Sequence, residues 1–268
     1  MAKTAIFGAG VMGETLLSGL LRSGRDPREL IVAERREDRA AELTQRYGVE
    51  VVPNLDAAEA AETMVLVVKP QDMDMLLQEI AVAVRPGNLV VSLAAGITTE
   101  FLERRLPEGS SVVRVMPNTP ALVDQGMAAI SPGQHCTNEH LAEASALLSS
   151  CGLVTQVPEK MQDAVTAISG SGPAYIFYVV EAMIEAGVVL GIPRITASEL
   201  VVQTLYGAAT MIKETGQHPT VLREQVTSPG GTTAAALRQL DDHKVRAAFI
   251  SAMEAAAARS KELAGGSA

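Results

Sequence analysis

Three glycine-rich stretches hold the residues of this chain that could do chemistry. The first, Gly8-Ala9-Gly10-Val11-Met12-Gly13, is a G-x-G-x-x-G run placed after the short strand pattern Lys3–Phe7 and before a helical pattern that continues to a stop at Gly24. In that setting Gly8 permits a tight strand-to-helix turn and Gly10 lets the backbone approach a pyrophosphate. Gly13 lets the helix pack close to the strand, so that its first N–H groups face the anion. An ordinary Gly-rich turn would lack the flanking elements, so the run predicts a nicotinamide or flavin dinucleotide. The other two stretches are Ile168-Ser169-Gly170-Ser171-Gly172-Pro173-Ala174 and Val226-Thr227-Ser228-Pro229-Gly230-Gly231-Thr232-Thr233, each opening onto a helical pattern. Bare N–H groups and hydroxyls at a helix start suit a small carboxylate without any charged side chain. A capped helix-helix turn uses the same residue types, and both readings stay open from the residues alone.

The choice of cofactor turns on the end of the second strand, where an acidic residue grips a ribose 2′-hydroxyl and an Arg accommodates a 2′-phosphate. Here the residues are Ala33-Glu34-Arg35-Arg36. Glu34 argues for NADH, whereas the charge-assisted hydrogen bonds available from Arg35 and Arg36 favour NADPH. The reading is NADPH, with NADH tolerated. Val68-Lys69-Pro70 and Ala94-Ala95-Gly96 lie at the carboxyl ends of the fourth and fifth strand patterns, where ligands of open α/β sheets sit. Met116-Pro117-Asn118-Thr119-Pro120, stiffened by its prolines, is placed to wall off the nicotinamide.

These residues need elements to position them. Strand patterns at 3–7, 30–33, 50–52, 64–68, 89–93, 111–115, 127–131 and 153–157 alternate with helical ones, which predicts a doubly wound parallel sheet. Helices are expected at 11–21, 71–84 and 138–150. After Pro158 only helical periodicity remains, giving an expected Rossmann domain over 1–160 and an all-helical domain over 161–268. Within the latter, Pro173 to Pro193 is strongly apolar but interrupted by Glu181 and Glu185, which predicts a buried helix and no membrane span. Val179, Val180, Met183, Ile184, Val188, Val189 and Leu190 make it more apolar than one domain face requires, so an obligate homodimer is expected through residues beyond 160.

Composition narrows the class further. A formal net charge of −9 with no basic run argues against nucleic acid, and only 3% aromatic residues with no Trp leaves an aliphatic core. Cys136 and Cys151 stand alone, without metal-ligand spacing, so neither a disulfide framework nor a metal is expected. No charged leader with a long apolar core opens the chain, and a cytoplasmic protein is expected.

At this point the chain resembles the pyrroline-5-carboxylate reductase family along its whole length. The most specific stretch is Leu222-Arg223-Glu224-Gln225-Val226-Thr227-Ser228-Pro229-Gly230-Gly231-Thr232-Thr233-Ala234-Ala235-Ala236-Leu237-Arg238-Gln239-Leu240-Asp241. The Gly8–Gly13 run, Val68-Lys69-Pro70, Met116–Pro120 and Ser169–Ala174 look like family motifs in family order. The resemblance implies reduction of the C=N bond of 1-pyrroline-5-carboxylate to proline, the last step of proline synthesis. It implies that Ser228, Gly230, Gly231, Thr232 and Thr233 hold the substrate carboxylate and ring-nitrogen region, and that Asn54, Ala94, Ala95 and Gly96 line the cofactor. It also implies a domain-swapped helical dimer, often assembled into a ring of dimers. NADP-preferring members tend to carry Asn or Ser where Glu34 stands, a departure that points to dual cofactor use.

A protonated imine is already a good electrophile, so the site needs proximity and orientation more than a strong acid. Thr233 is the expected partner of the ring nitrogen, while His218 and His243 read as helix-start residues. A β-hydroxyacid dehydrogenase shares this two-part layout but places a Lys a few residues into the helix after a glycine loop, and residues 174–189 contain none. A non-catalytic NADPH-sensing protein is the other alternative, for which no extra interaction segment is present.

Overall fold

The computed structural model describes residues 3–265, which form two compact units. One runs to Ser171 and is rejoined by the chain from Ala255 onward; the other is Gly172–Glu254.

The first unit is built on one sheet of β1 (Thr4–Phe7), β2 (Leu30–Ala33), β3 (Glu50–Val52), β4 (Thr63–Leu66), β5 (Leu89–Ser92), β6 (Ser111–Met116), β7 (Gly126–Pro132) and β8 (Gly152–Gln156), in the order β3-β2-β1-β4-β5-β6-β7-β8. From β3 to β6 the strands are parallel. The sheet is doubly wound and mainly parallel, as expected, with one exception: β7 runs antiparallel to β6, and β8 then follows β7 in parallel. The cause is chain length: the β6–β7 connection, residues 117–125, is shorter than the roughly dozen residues a parallel crossover needs.

Helices cover both faces, which is why β1, β2, β4 and β5 read as unbroken apolar runs. On one face Ile6, Val32, Val65, Val91 and Val113 meet Leu16, Leu17 and Leu20 of α1 (Val11–Arg22) and Leu43 of α2 (Glu37–Tyr47). On the other, Phe7, Ile31, Met64 and Val90 pack with Ala57 and Ala58 of α3 (Asn54–Ala60) and Leu76, Leu77 and Ile80 of α4 (Met73–Ile80). Each of the Val, Leu, Ile, Met and Phe side chains among these contributes about 1.5–3 kcal/mol when fully buried. The remaining helices of this unit are α5 (Thr99–Glu103), α6 (Asn138–Leu148) and α7 (Gln162–Val165). The strands end at Gln156, yet the following turns still belong to the sheet layer. Fully buried Gln162 donates to the Ala129 carbonyl at 3.3 Å and the Ser131 hydroxyl at 2.8 Å. Glu159 accepts from the Thr99 N–H at 2.7 Å and pairs with buried Arg114 at 3.3 Å.

The helical unit holds α8 (Gly172–Val189), α9 (Arg194–Thr215), α10 (Pro219–Gln225), α11 (Thr232–Asp242) and the first part of α12 (Val245–Gly265). Helices α8 and α9 pack closely at Gly187, where a methyl group would lie 3.0 Å from the Ala197 Cβ. Helix α8 was expected to be buried, yet no residue of it is buried within the single chain; Tyr178 is 74% exposed and Val189 86%. Its apolar residues surround the helix instead of forming one stripe, so α9 alone cannot cover them. The helical stretch Glu159–Val189 is long and apolar enough to cross a membrane by length and composition, although Glu181 and Glu185 interrupt it.

Candidate functional site

The sheet reverses direction of growth between β1 and β4, and the crevice outside the carboxyl ends of those strands is where an open α/β sheet binds ligands. The first glycine run forms its floor. Gly8 has φ +96°, donates to the Ala33 carbonyl at 3.1 Å, and a side chain there would meet the Val67 carbonyl at 3.1 Å. Gly13 lies inside the first turn of α1, where a methyl group would collide with the Gly8 carbonyl oxygen. Gly10 is the N-cap of α1, bears no side-chain cap, and has nothing within 4 Å of the space a Cβ would occupy. The first N–H groups of α1, at Val11, Met12 and Gly13, therefore open onto free space beside a bare glycine, a cradle that fits a pyrophosphate. Ala9 is buried, and its carbonyl lies 3.4 Å from the Arg39 guanidinium.

Arg39 itself is tied to Glu14, which also accepts from Tyr47 at 2.7 Å and Arg46 at 3.0 Å. This cluster fastens α1 to α2 behind the glycine turn. Burial alone would raise the Glu14 carboxyl, but the hydrogen bonds from Tyr47 and Arg39 outweigh it and hold the group below its ordinary range. Neither Arg39 nor Glu14 was signalled by motif spacing.

Beyond β2, Gly8, Glu34, Arg35, Asn54, Val68 and Met75 are among the residues around a cavity of about 230 Å³. Glu34 turns inward: its carboxylate accepts the Arg36 N–H at 3.0 Å, and its side chain is only 12% exposed. Arg36 is the N-cap of α2 and lies 3.7 Å from Glu34. Arg35 pairs with Glu79 on α4 at 2.9 Å, and the same Glu79 oxygen accepts from buried Asn54 at 2.8 Å. Glu79 carried no sequence signal, being one charge on an otherwise ordinary amphipathic helix.

Val68 is half-buried and Lys69 exposed, after which Pro70 begins a single helical turn to Asp72. Ala94 is buried, its N–H 3.4 Å from the Ser92 hydroxyl, and Gly96 has φ +77°. Ala95, Gly96 and Pro70 face Arg259, Ser260 and Leu263 of α12 across a cavity of about 520 Å³, all within the first unit. Asn118 has both ends of its amide committed, accepting the Met127 N–H at 2.8 Å and donating to the Ser169 carbonyl at 3.1 Å. Its side chain therefore acts as a strut between segments. The stretch read as a glycine loop at 169–173 is not a loop at its start: Thr166–Gly170 is a π-turn, closed by the Ser171 N–H on the Thr166 carbonyl at 2.8 Å. Gly170 lies against the end of the flexible Met116 side chain, which would have to move aside for a larger residue.

In the helical unit, Ser228-Pro229-Gly230-Gly231 forms a tight turn closed by the Gly231 N–H on the Ser228 carbonyl at 3.0 Å, with Gly230 at φ +69°. That is the turn that proline followed by a left-handed residue favours. Gly231 is the N-cap of α11 and supplies no side-chain cap, and the first helical bond is the Ala235 N–H to the Gly231 carbonyl. The N–H groups of Thr232, Thr233 and Ala234 thus have no partner inside the helix, next to the Thr232 and Thr233 hydroxyls. One part of the expectation needs narrowing: the Gly231 N–H is engaged in the turn, so it is not a free donor. His218 is a helix-start residue as expected, accepting the Thr220 N–H at 3.2 Å, but His243 ends α11 instead of starting a helix. Among the described residues no cluster could hold a metal ion, and both cysteines are free thiols.

Two family models match different parts of the chain. Residues 159–263 match the family model for pyrroline-5-carboxylate reductase dimerisation, and residues 3–96 match that for coenzyme F420-dependent NADP oxidoreductases. The chain is 46% identical over 267 residues to the pyrroline-5-carboxylate reductase of Corynebacterium melassecola, covering 98% of this chain and 99% of that one. Among solved structures, a pyrroline-5-carboxylate reductase from Coxiella burnetii superimposes with a TM-score of 0.94 at 37% identity, over 98% of each chain. The Plasmodium falciparum pyrroline carboxylate reductase with NADP bound gives 0.87 at 29% identity, again over 98% of each chain.

Proposed function

Since the chain belongs to the pyrroline-5-carboxylate reductase family, we infer that it uses a nicotinamide cofactor to reduce the C=N bond of 1-pyrroline-5-carboxylate to L-proline, closing proline biosynthesis. The observation that carries this reading is the pairing, in one chain, of a bare glycine turn at the sheet crevice with an uncapped α11 behind Ser228-Pro229-Gly230-Gly231. The first suits a pyrophosphate, the second a small carboxylate.

The cofactor supplies a hydride when bound. The chain's part is to hold and orient. Gly8 to Gly13 and the α1 N-terminus take the pyrophosphate; Glu34, Arg35, Arg36 and Asn54 take the adenosine end; Val68, Lys69, Pro70, Ala94, Ala95 and Gly96 line the rest, with Asn118 bracing the wall. Ser228, Gly230 and the N–H groups of Thr232 and Thr233 hold the substrate carboxylate. The Thr233 hydroxyl bonds the ring nitrogen and steadies its proton as the adjacent imine carbon, the future C5 of proline, is reduced.

NADPH is the preferred form, with NADH used as well. Arg35 and Arg36 have side chains 58% and 65% exposed, and such exposed pairs are worth only about 0–1 kcal/mol, so a 2′-phosphate can draw them away from their carboxylates. The exposed apolar surface of α8 supports a homodimer, which the dimerisation match over 159–263 also favours, and a ring of such dimers extends that assembly. Free Cys136 and Cys151 fit a cytoplasmic enzyme away from membranes. The test is oxidation of NADPH by the purified protein on addition of 1-pyrroline-5-carboxylate. Dependence on the imine supports the reading; an absence of any imine-dependent oxidation by either nicotinamide overturns it.

A further inference from the structure

We propose that Glu79 sets the balance between NADPH and NADH by holding Arg35 away from the nucleotide's 2′ position. The proposal rests on the reading that the adenosine end lies beside Glu34 and Arg35. One Glu79 oxygen accepts from the Arg35 guanidinium at 2.9 Å and from the Asn54 amide at 2.8 Å. Asn54 is buried and close-packed at the start of α3, so it fixes the carboxylate; Arg35 is a long exposed side chain and is the partner free to leave. Glu79 is therefore an anchored anion at the edge of the cavity that Glu34, Arg35 and Asn54 line.

Its charge acts in one direction. A 2′-phosphate that takes the Arg35 guanidinium leaves Glu79 without its cation, and the carboxylate then repels a group bearing nearly two negative charges. A ribose 2′-hydroxyl bonding to the inward-turned Glu34 carries no such charge and leaves the Arg35–Glu79 pair intact. Glu79 thus handicaps NADPH and leaves NADH almost untouched, working through Arg35 as a positioning residue without reacting itself. Replacement by Gln keeps an oxygen for Asn54 and removes only the charge, which makes Glu79→Gln the informative change.

The experiment is a binding titration of the whole protein with 2′,5′-ADP and with 5′-ADP, which carry the adenosine end and no reactive ring, run beside NADPH and NADH. Glu79→Gln is expected to tighten 2′,5′-ADP relative to 5′-ADP by about three- to tenfold at low ionic strength, with the gain shrinking as salt rises. In Arg35→Ser the gain from adding Glu79→Gln should be smaller, because the paired cation is gone. A 2′,5′-ADP to 5′-ADP ratio that is unchanged or lowered in Glu79→Gln overturns the proposal. Separately, Arg35→Ser that leaves 2′,5′-ADP binding unaltered shows that the arginine does not read the phosphate at all, and the placement of the adenosine end fails first.

Discussion

A methyl group on Gly13 would collide with the carbonyl oxygen of Gly8, so the first turn of α1 rests directly on the turn that ends β1. Gly13→Ala must therefore push α1 off the sheet or open the turn, and overpacking of this kind costs about 1–3 kcal/mol. The expected outcome is a lowered melting temperature together with weakened binding of both NADPH and NADH, measured by thermal denaturation and cofactor titration. Gly10→Ala meets open space and should leave stability nearly unchanged while weakening the dinucleotide.

Replacing Arg35 and Arg36 together by Ser should raise the KM for NADPH by about tenfold, the worth of one charge-assisted hydrogen bond, with a much smaller change for NADH. Steady-state kinetics with each cofactor check this. Equal losses with both would show that the arginines do not distinguish a 2′-phosphate.

Much of the sheet is legible in the sequence because burial on both faces leaves long apolar words. Leu30–Ala33 and Glu50–Val52 read at their observed bounds, and β4 differs by a residue or two because Val67 and Val68 continue the apolar run past the end of the strand, where the Val67 N–H still bonds the Phe7 carbonyl at 2.8 Å. The only signal for the direction of β7 is the short connection from β6, since alternation along a strand says nothing of its neighbour's sense. The π-turn at Thr166–Gly170 is not legible either, because the Ser171 N–H to Thr166 carbonyl bond that closes it leaves no residue pattern distinct from an ordinary helix start. In the site, glycines and hydroxyls at helix starts carried a readable signal, whereas the Arg35–Glu79–Asn54 contact joins residues from separate elements and leaves no spacing to read. What covers α8 is not legible from its own residues, because a helix that is apolar all round looks the same whether its own domain or a second chain covers it.

Acid should loosen the junction behind the glycine turn. The folded Glu14 carboxyl sits below its ordinary value of 4.5, so its stabilisation is fully present above that pH and is lost as pH falls through the lower folded value. Glu14→Gln should accordingly melt at a lower temperature than the parent at pH 7, and the gap should narrow as pH is taken below about 4.5. Thermal melts across pH 3.5–7.5 test this; a gap independent of pH would mean that shape, not charge, matters at Glu14.

On the substrate side, a Gly231 side chain would lie 3.1 Å from the Ser228 carbonyl that closes the turn, so the branched Gly231→Val should displace the loop and abolish turnover. Thr233→Ala should be milder, losing roughly 2- to 150-fold in kcat/KM for one hydrogen bond of about 0.5–3 kcal/mol. Cofactor titrations should be little affected by either change, because the proposed cofactor contacts belong to the other compact unit. Turnover at the parent rate by Gly231→Val would move the carboxylate site elsewhere.

The most direct test of imine reduction by this protein follows the hydrogen itself. The protein is supplied with 1-pyrroline-5-carboxylate and NADPH carrying deuterium on the transferred face of the nicotinamide, and the product is analysed by mass spectrometry and NMR. The expected product is L-proline with one deuterium at C5, formed in step with cofactor oxidation. Cofactor oxidation without labelled proline, or no imine-dependent oxidation with either nicotinamide, would contradict imine reduction.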